Sequence, residues 1–304
     1  MKKKLLHITG WLITLTLLGF IAFRMDWQTV IQGFKAASIN YIVLAILFNF
    51  IVIGVKSLRF KWLIKVGDKL KFSKVLNATM ISFAANNIFP MRGGELIRIQ
   101  MLSENGKRSK LSLASISFLE KLFDAIGIVV LIPFLLLIPD KPVWLNKGAF
   151  IVIAITAVFV GISFFLKLFE KHAFIKKLTD GFKALHNAKD FFSNLVLTII
   201  SSILQILILQ WMQMSLGIEL PFWQTVLAFL AVNLAIMIPS APSHLGTMEA
   251  GLLMIYSIFG LQKETALNIA LMYHAVQFFP VTLTGLAVYL LNSIKSKNIV
   301  NSTA

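Results

Sequence analysis

Apolar residues run in long blocks along this chain, and polar and charged residues collect between them. The blocks fall at 5–23, 41–58, 75–90, 113–138, 148–168, 195–216, 225–239, 247–260 and 266–291. A helix needs about 20 residues, at about 1.5 Å each, to cross roughly 30 Å of hydrocarbon. Six of the blocks (all except 75–90, 225–239 and 247–260) can be full spans. The blocks at 75–90 and 225–239 are short, and each ends at a proline: Phe89-Pro90 and Ile238-Pro239. Proline removes a backbone donor and clashes with the preceding turn, so a helix cannot run through it undisturbed. Backbone freed in this way is tolerated at membrane depth only inside protein or beside a watery cavity. The pattern predicts an all-α polytopic membrane protein with about six full transmembrane helices and two re-entrant, Pro-broken hairpins.

Charge fixes the expected topology. Twenty-three Lys and Arg fall at 2–4, 56–74, 91–112, 167–189 and 295–297. The intervening loops hold five: Arg24, Lys35, Lys141, Lys147 and Lys263. Basic residues favour the cytoplasmic side. The bias emerges only if 75–90 enters and leaves on that side while 225–260 enters and leaves on the outside. Both termini are then cytoplasmic, in a multi-pass protein of the plasma (inner) membrane. The opening segment, Lys2-Lys3-Lys4 followed by Leu5 to Phe23, has an apolar run too long for a signal peptide and no small-residue cleavage site, so it reads as a retained span.

Composition agrees. Of 304 residues, 58% are hydrophobic and 14% charged, where a soluble domain needs about a quarter charged. The net charge of +16 does not signal nucleic acid, because the basic residues alternate with spans and form no continuous groove. Cysteine is absent, which excludes thiol chemistry. No HExxH, Walker, GxGxxG or GxSxG motif occurs, so no metal or nucleotide cofactor is expected and the chain is not expected to be an enzyme.

The two broken segments resemble each other. Phe83-x-Ala85-x-Asn87 leads to Pro90 and then Gly94-Glu95; Phe229-x-Ala231-x-Asn233 leads to Pro239 and Pro242, then Gly246 and Glu249. Their flanking spans make a first repeat at 41–138 and a second at 195–291, of opposite orientation, within one integral membrane domain at 1–304. Paired, interrupted short segments of this kind mark the midplane site of transporters. Residues 167–190 form the longest polar loop, where Phe174, Ile175, Leu178, Phe182 and Leu185 share a helical face. That face suits an interfacial helix lying on anionic lipid; a plain basic loop is the other reading.

Ionisable groups at membrane depth are costly and are functional candidates by default. Arg92 and Arg98 can grip a phosphate through the donor fork of guanidinium, or snorkel to the interface as anchors. Glu95 can balance them, bind an amine or carry a proton, with Asn86, Asn87 and Pro90 beside the break. Glu120 and Asp124 lie i,i+4 on one helical face, and serve either as structural partners of those arginines or as a proton relay. In the second segment Pro239, Pro242 and Gly246 unwind the chain, and Glu249 sits in the first turn of the returning helix, as a ligand group or a cap. His274, near Tyr273 and Gln277, is a further candidate.

These residues resemble the flippase-like family known as the lysylphosphatidylglycerol synthase transmembrane region, or UPF0104. The resemblance runs through Leu58-Arg59-x-x-Trp62, Asn87-x-x-Pro90-x-Arg92-x-Gly94-Glu95-x-x-Arg98, Glu120-x-x-x-Asp124 and Pro239-x-x-Pro242-x-x-x-Gly246-x-x-Glu249. The chain departs from the family pattern at Lys121, where arginine is usual, at Ser243-His244, where glycines are usual, and at His274, where arginine is frequent. The resemblance implies movement of a polar phospholipid, anionic or aminoacylated, between leaflets. Some relatives carry a cytoplasmic aminoacyl-transferase domain, for which this chain has no segment, so lipid synthesis is not expected. The expected partners are membrane phospholipids and an enzyme that modifies those lipids, with no nucleic acid. The alternatives are an ion-coupled transporter of a small anionic solute and a non-transporting partner of an envelope or lipid-modifying enzyme.

Overall fold

The computed structural model describes residues 15–16, 18–21, 23, 25–64, 70–89, 93–105, 109–137, 143–168, 179–238 and 241–302. Regular structure among them is helical throughout. The helices are α1 (Trp27–Ala36), α2 (Ile39–Ile64), α3 (Phe72–Ile88), α4 (Gly94–Asn105), α5 (Lys110–Leu131), α6 (Val143–Lys167), α7 (Ala188–Ser215), α8 (Phe222–Ala235), α9 (Thr247–Ile258) and α10 (Lys263–Ser302).

Four stretches are long and apolar enough to cross a bilayer: Ile39–Ile64, Leu145–Lys167, Ala188–Ser215 and Lys263–Ile294. The sequence predicts six spans. Of the other two, 5–23 lies mostly outside the described residues. The block at 113–138 forms α5, which has the length of a span at 22 residues but carries Glu120, Lys121 and Asp124 in its middle. Those charges face other helices, as shown below, so α5 is too polar to count by hydropathy alone. α6, by contrast, leaves Phe150, Ile155, Val158 and Phe165 exposed, the surface expected against lipid tails.

The two proline-broken segments become two short helix pairs. α3 has 17 residues and α8 has 14, about 26 Å and 21 Å at 1.5 Å per residue, each short of the hydrocarbon thickness. Each packs against the helix that follows its break. The contact is close enough to require glycine in both. A Cβ on Gly94 would lie 2.0 Å from the Ser82 carbonyl oxygen, and one on Gly251 would lie 2.7 Å from the Ala235 Cβ. α8 is apolar on every side, with Val226 to Val232 all buried, so it belongs to the interior rather than to a lipid-facing wall.

The spine of the molecule is α2 packed along α7, with α10 touching both helix pairs. Pro280 sits inside α10 and cannot donate to the carbonyl of Val276, four residues back. Asn49 of α2 fills that vacancy: its Nδ2 donates to Val276 O at 3.0 Å. A freed carbonyl in the membrane interior is thereby satisfied across a helix–helix contact.

One expectation needs correction. Phe182 and Leu185 were placed by their periodicity on a lipid-facing side of an interfacial helix. Residues 180–185 instead form a short 3₁₀ turn, and both side chains are buried in an apolar cluster with Phe60, Leu113 and Phe123. The cluster under α5 gives these side chains a dry site inside the protein, which competes successfully with lipid. Phe174, Ile175 and Leu178 lie outside the described residues.

Candidate functional site: a polar cavity beside a buried ion network

Four helices contribute to one network of charges. Arg59 of α2 donates through Nη2 to Asp124 Oδ1 at 2.7 Å and through Nη1 to Thr198 Oγ1 of α7 at 2.7 Å, and lies 3.6 Å from Glu120. Arg98 of α4 donates to Glu120 Oε2 at 2.6 Å and to Glu95 Oε2 at 2.5 Å, with its guanidinium 3.9 Å from the centre of the Phe60 ring. Lys121 closes the chain on Glu95 at 3.3 Å. Arg59, Arg98 and Glu120 are each no more than 1% exposed. Three cations therefore face three carboxylates. An uncompensated charge at this depth costs several kcal/mol, roughly, and pairing removes most of that cost. The network joins α4 to α5, α5 to α2 and α2 to α7, so the first helix pair is bolted to the spine by its charges.

Beside the network lies a cavity of about 450 Å³, where the two helix pairs meet. The first pair contributes Asn86 and Asn87, and the second contributes Asn233, Ser243 and His244. Gln205 of α7 and Gln277 of α10 add two more amides. Lys56, Lys121 and Asp124 are the charged lining groups, and Met237, about half exposed, stands in the same wall. Lys56 forms no ion pair among the described residues, so it brings a surplus positive charge to the cavity.

The local sequence explains how the asparagines arrive there. Asn86 and Asn87 stand in the last turn of α3, just before the break. Asn86 Oδ1 accepts from the Gly94 N–H at 2.9 Å and so holds the start of α4. Asn87 Nδ2 donates to Thr282 Oγ1 at 2.9 Å, locking the first pair to α10 beyond Pro280. Its Oδ1 accepts from Ser243 Oγ of the second pair at 3.5 Å.

Across the cavity stands a second polar group. Glu249, 1% exposed, accepts through Oε2 from the Gly246 N–H at 2.7 Å, which caps the first turn of α9. Its other oxygen, Oε1, contacts His274 Nδ1 of α10 in a close hydrogen bond. His274 Nε2 in turn lies 3.0 Å from Ser243 Oγ. The backbone carrying Ser243 and His244 is left-handed, with φ of 58° and 60°.

The residues singled out from sequence thus separate into two groups. Asn87, Asp124 and His274 line the cavity. Glu95, Arg98 and Glu120 form the network behind it, and Glu249 sits behind His274. Arg98 gives a single nitrogen, Nη2, to both carboxylates, while its Nε and Nη1 are buried with no hydrogen-bond partner among the described residues. Pro242 opens a 3₁₀ turn that ends at His244, and Gly246, at φ 85°, precedes α9. Pro90, Arg92 and Pro239 lie outside the described residues. Sequence reasoning missed Lys56, Arg59, Asn49 and Gln205 as polar groups of the interior. Lys56 and Arg59 were counted with the basic loop that follows, although Arg59 stands within the motif that carries the resemblance.

A profile of the lysylphosphatidylglycerol synthase TM region matches residues 7–285. The chain belongs to this family. A UPF0104 membrane protein of Methanothermobacter thermautotrophicus is 24% identical over 289 residues, covering 86% of this chain and 86% of the relative. A UPF0104 membrane protein of Pyrococcus horikoshii is 25% identical over 330 residues, covering 94% and 96%. No solved structure matches. The relatives are described as membrane proteins, in keeping with the apolar helices found here.

Proposed function

We propose that this member of the lysylphosphatidylglycerol synthase TM-region family moves a polar phospholipid between the leaflets of a bacterial or archaeal plasma membrane. The observation that carries the reading is the amide-lined cavity at the meeting of the two helix pairs, enclosed by apolar helices. A headgroup crosses hydrocarbon only if protein groups replace its water, because an unpaired polar group costs roughly 2–7 kcal/mol to desolvate. Five side-chain amides, Ser243 and His274 offer that replacement, and Lys56 supplies a cation for phosphate. Asp124, about one-third exposed despite its bond to Arg59, gives a counterpart for a headgroup amine.

In this reading the two helix pairs are re-entrant hairpins, one from each side, with both termini on the cytoplasmic face. Glu95, Arg98, Glu120 and Glu249 hold the walls, and translocation itself requires no covalent step. The test is leaflet exchange in proteoliposomes, using fluorescent lipids with zwitterionic, anionic and lysyl headgroups and a membrane-impermeant quencher. Wild-type protein should accelerate exchange of at least one headgroup. Lys56→Ala should slow it about ten-fold or more, the loss of one charge-assisted bond of roughly 1.5–3 kcal/mol. Exchange no faster than in protein-free vesicles for every headgroup would favour a non-transporting partner of an envelope enzyme.

A further inference from the structure

We propose that Ser243, His274 and Glu249 form a nucleophilic relay, and that the cavity they face cleaves a carboxylic ester of an amphipathic substrate. This activity is separate from transport, and it stands or falls independently of whether lipid crosses the membrane.

The geometry has the order such a relay needs. Glu249 is buried and ionisable, and its Oε1 meets His274 Nδ1. A carboxylate accepts, so Nδ1 carries the hydrogen, and in the neutral imidazole the Nε2 lone pair is then turned outward, in competition with Asn87 Oδ1 at 3.5 Å for the Ser243 hydroxyl hydrogen. At 3.0 Å from that lone pair lies Ser243 Oγ. The carboxylate orients the imidazole, the imidazole can take the hydroxyl proton, and the hydroxyl is the group that faces the cavity. Glu249 is itself held in place by the Gly246 N–H at 2.7 Å, which leaves one oxygen for the histidine.

Two further observations favour a reactive serine over a structural one. Ser243 is, among the described residues, one of two non-glycine positions with positive φ, the other being His244 next to it. A left-handed backbone costs a serine energy that glycine would not incur, and strained turns of this kind present nucleophiles in other hydrolases. Second, the wall next to the relay carries the Gln277 amide, one turn along α10 from His274, a donor of the type that stabilises an oxyanion.

The chemistry balances without any group from outside except the ester and water. Ser243 Oγ attacks the ester carbonyl carbon while its proton passes to His274 Nε2. The C–O bond to the alcohol breaks, and the alcohol leaves with that proton, so that an acyl-serine remains. Water then adds to the acyl carbon, giving its proton to His274. The Ser243–acyl bond breaks, the serine recovers the proton, and the acid is released. Ester and water become acid and alcohol.

A long-chain alkyl fluorophosphonate carrying a fluorophore tests the relay in the full-length protein, purified in detergent and in proteoliposomes. Ser243 Oγ should form a bond to phosphorus with loss of fluoride, and peptide mass mapping should place the adduct on Ser243. Ser243→Ala should abolish labelling. His274→Gln, which keeps a polar partner for Glu249 but removes the base, should slow labelling at least about a hundred-fold. Wild-type protein should also hydrolyse p-nitrophenyl octanoate in a reaction blocked by the same probe. No labelling of monodisperse wild-type protein overturns the proposal. So does an adduct mapped to another residue, or labelling of Ser243 at an unchanged rate in His274→Gln.

Discussion

Glu120 is the residue on which the charge network turns, since it touches both arginines while wholly buried. Glu120→Gln would leave Arg98 and Arg59 short of a counter-charge, and breaking such a pair costs roughly 3–5 kcal/mol. Thermal unfolding in detergent should show a marked fall in midpoint for this variant. Replacing both members of a pair is less harmful than removing one, so Arg98→Met with Glu120→Leu should recover much of the loss. The spacing of Glu120 and Asp124 on one helical face was legible in the sequence, because it depends only on the period of a single helix. The partner of Asp124, Arg59, was not. Nothing local distinguishes Arg59, which turns inward, from Lys61, counted in the same basic run. Which way a cation near a helix end points is decided by what stands across from it, here Thr198 and Asp124.

At the scale of helices, prolines at the end of an apolar block stop a helix, and the one inside the block at 266–291, read as a full span, does not. Pro90 and Pro239 mark breaks, and the helices stop at Ile88 and Ala235. Pro280 stops nothing, because α10 continues past it and Asn49 accepts the task of satisfying Val276. Asn49→Leu should therefore cost about 1–3 kcal/mol, the desolvation penalty of one stranded carbonyl, and should show as a lower unfolding midpoint. Gly251→Leu is expected to be more severe, since its first carbon would already overlap Ala235. Periodicity failed at Phe182 and Leu185 for a related reason. It reports that a face is apolar, and both lipid and a protein cluster can cover such a face.

For the molecule as a whole, the lack of native cysteine makes surface mapping direct. Gln205→Cys, in the cavity wall, should react with a water-soluble, membrane-impermeant thiol reagent from the side on which the cavity is wet. Ile155→Cys, exposed on α6, should stay unreactive in bilayers although it is accessible in the isolated fold. Equal reactivity at both positions would contradict a bilayer around α6. The two helix pairs, similar in sequence, are secured by different forces. The first is tied to α2 and α5 through Arg59, Arg98, Glu95 and Glu120; the second is embedded through the apolar girth of α8, one carboxylate–imidazole contact and the neutral hydrogen bonds of Thr225 and Tyr256 with Gln213 of α7. Ionic ties between rigid partners resist sliding and tolerate little change of register, whereas greased surfaces shift past one another at small cost. In mechanical terms the first pair is clamped by charge and the second is seated by fit, so two segments that share a short motif are held in unlike ways.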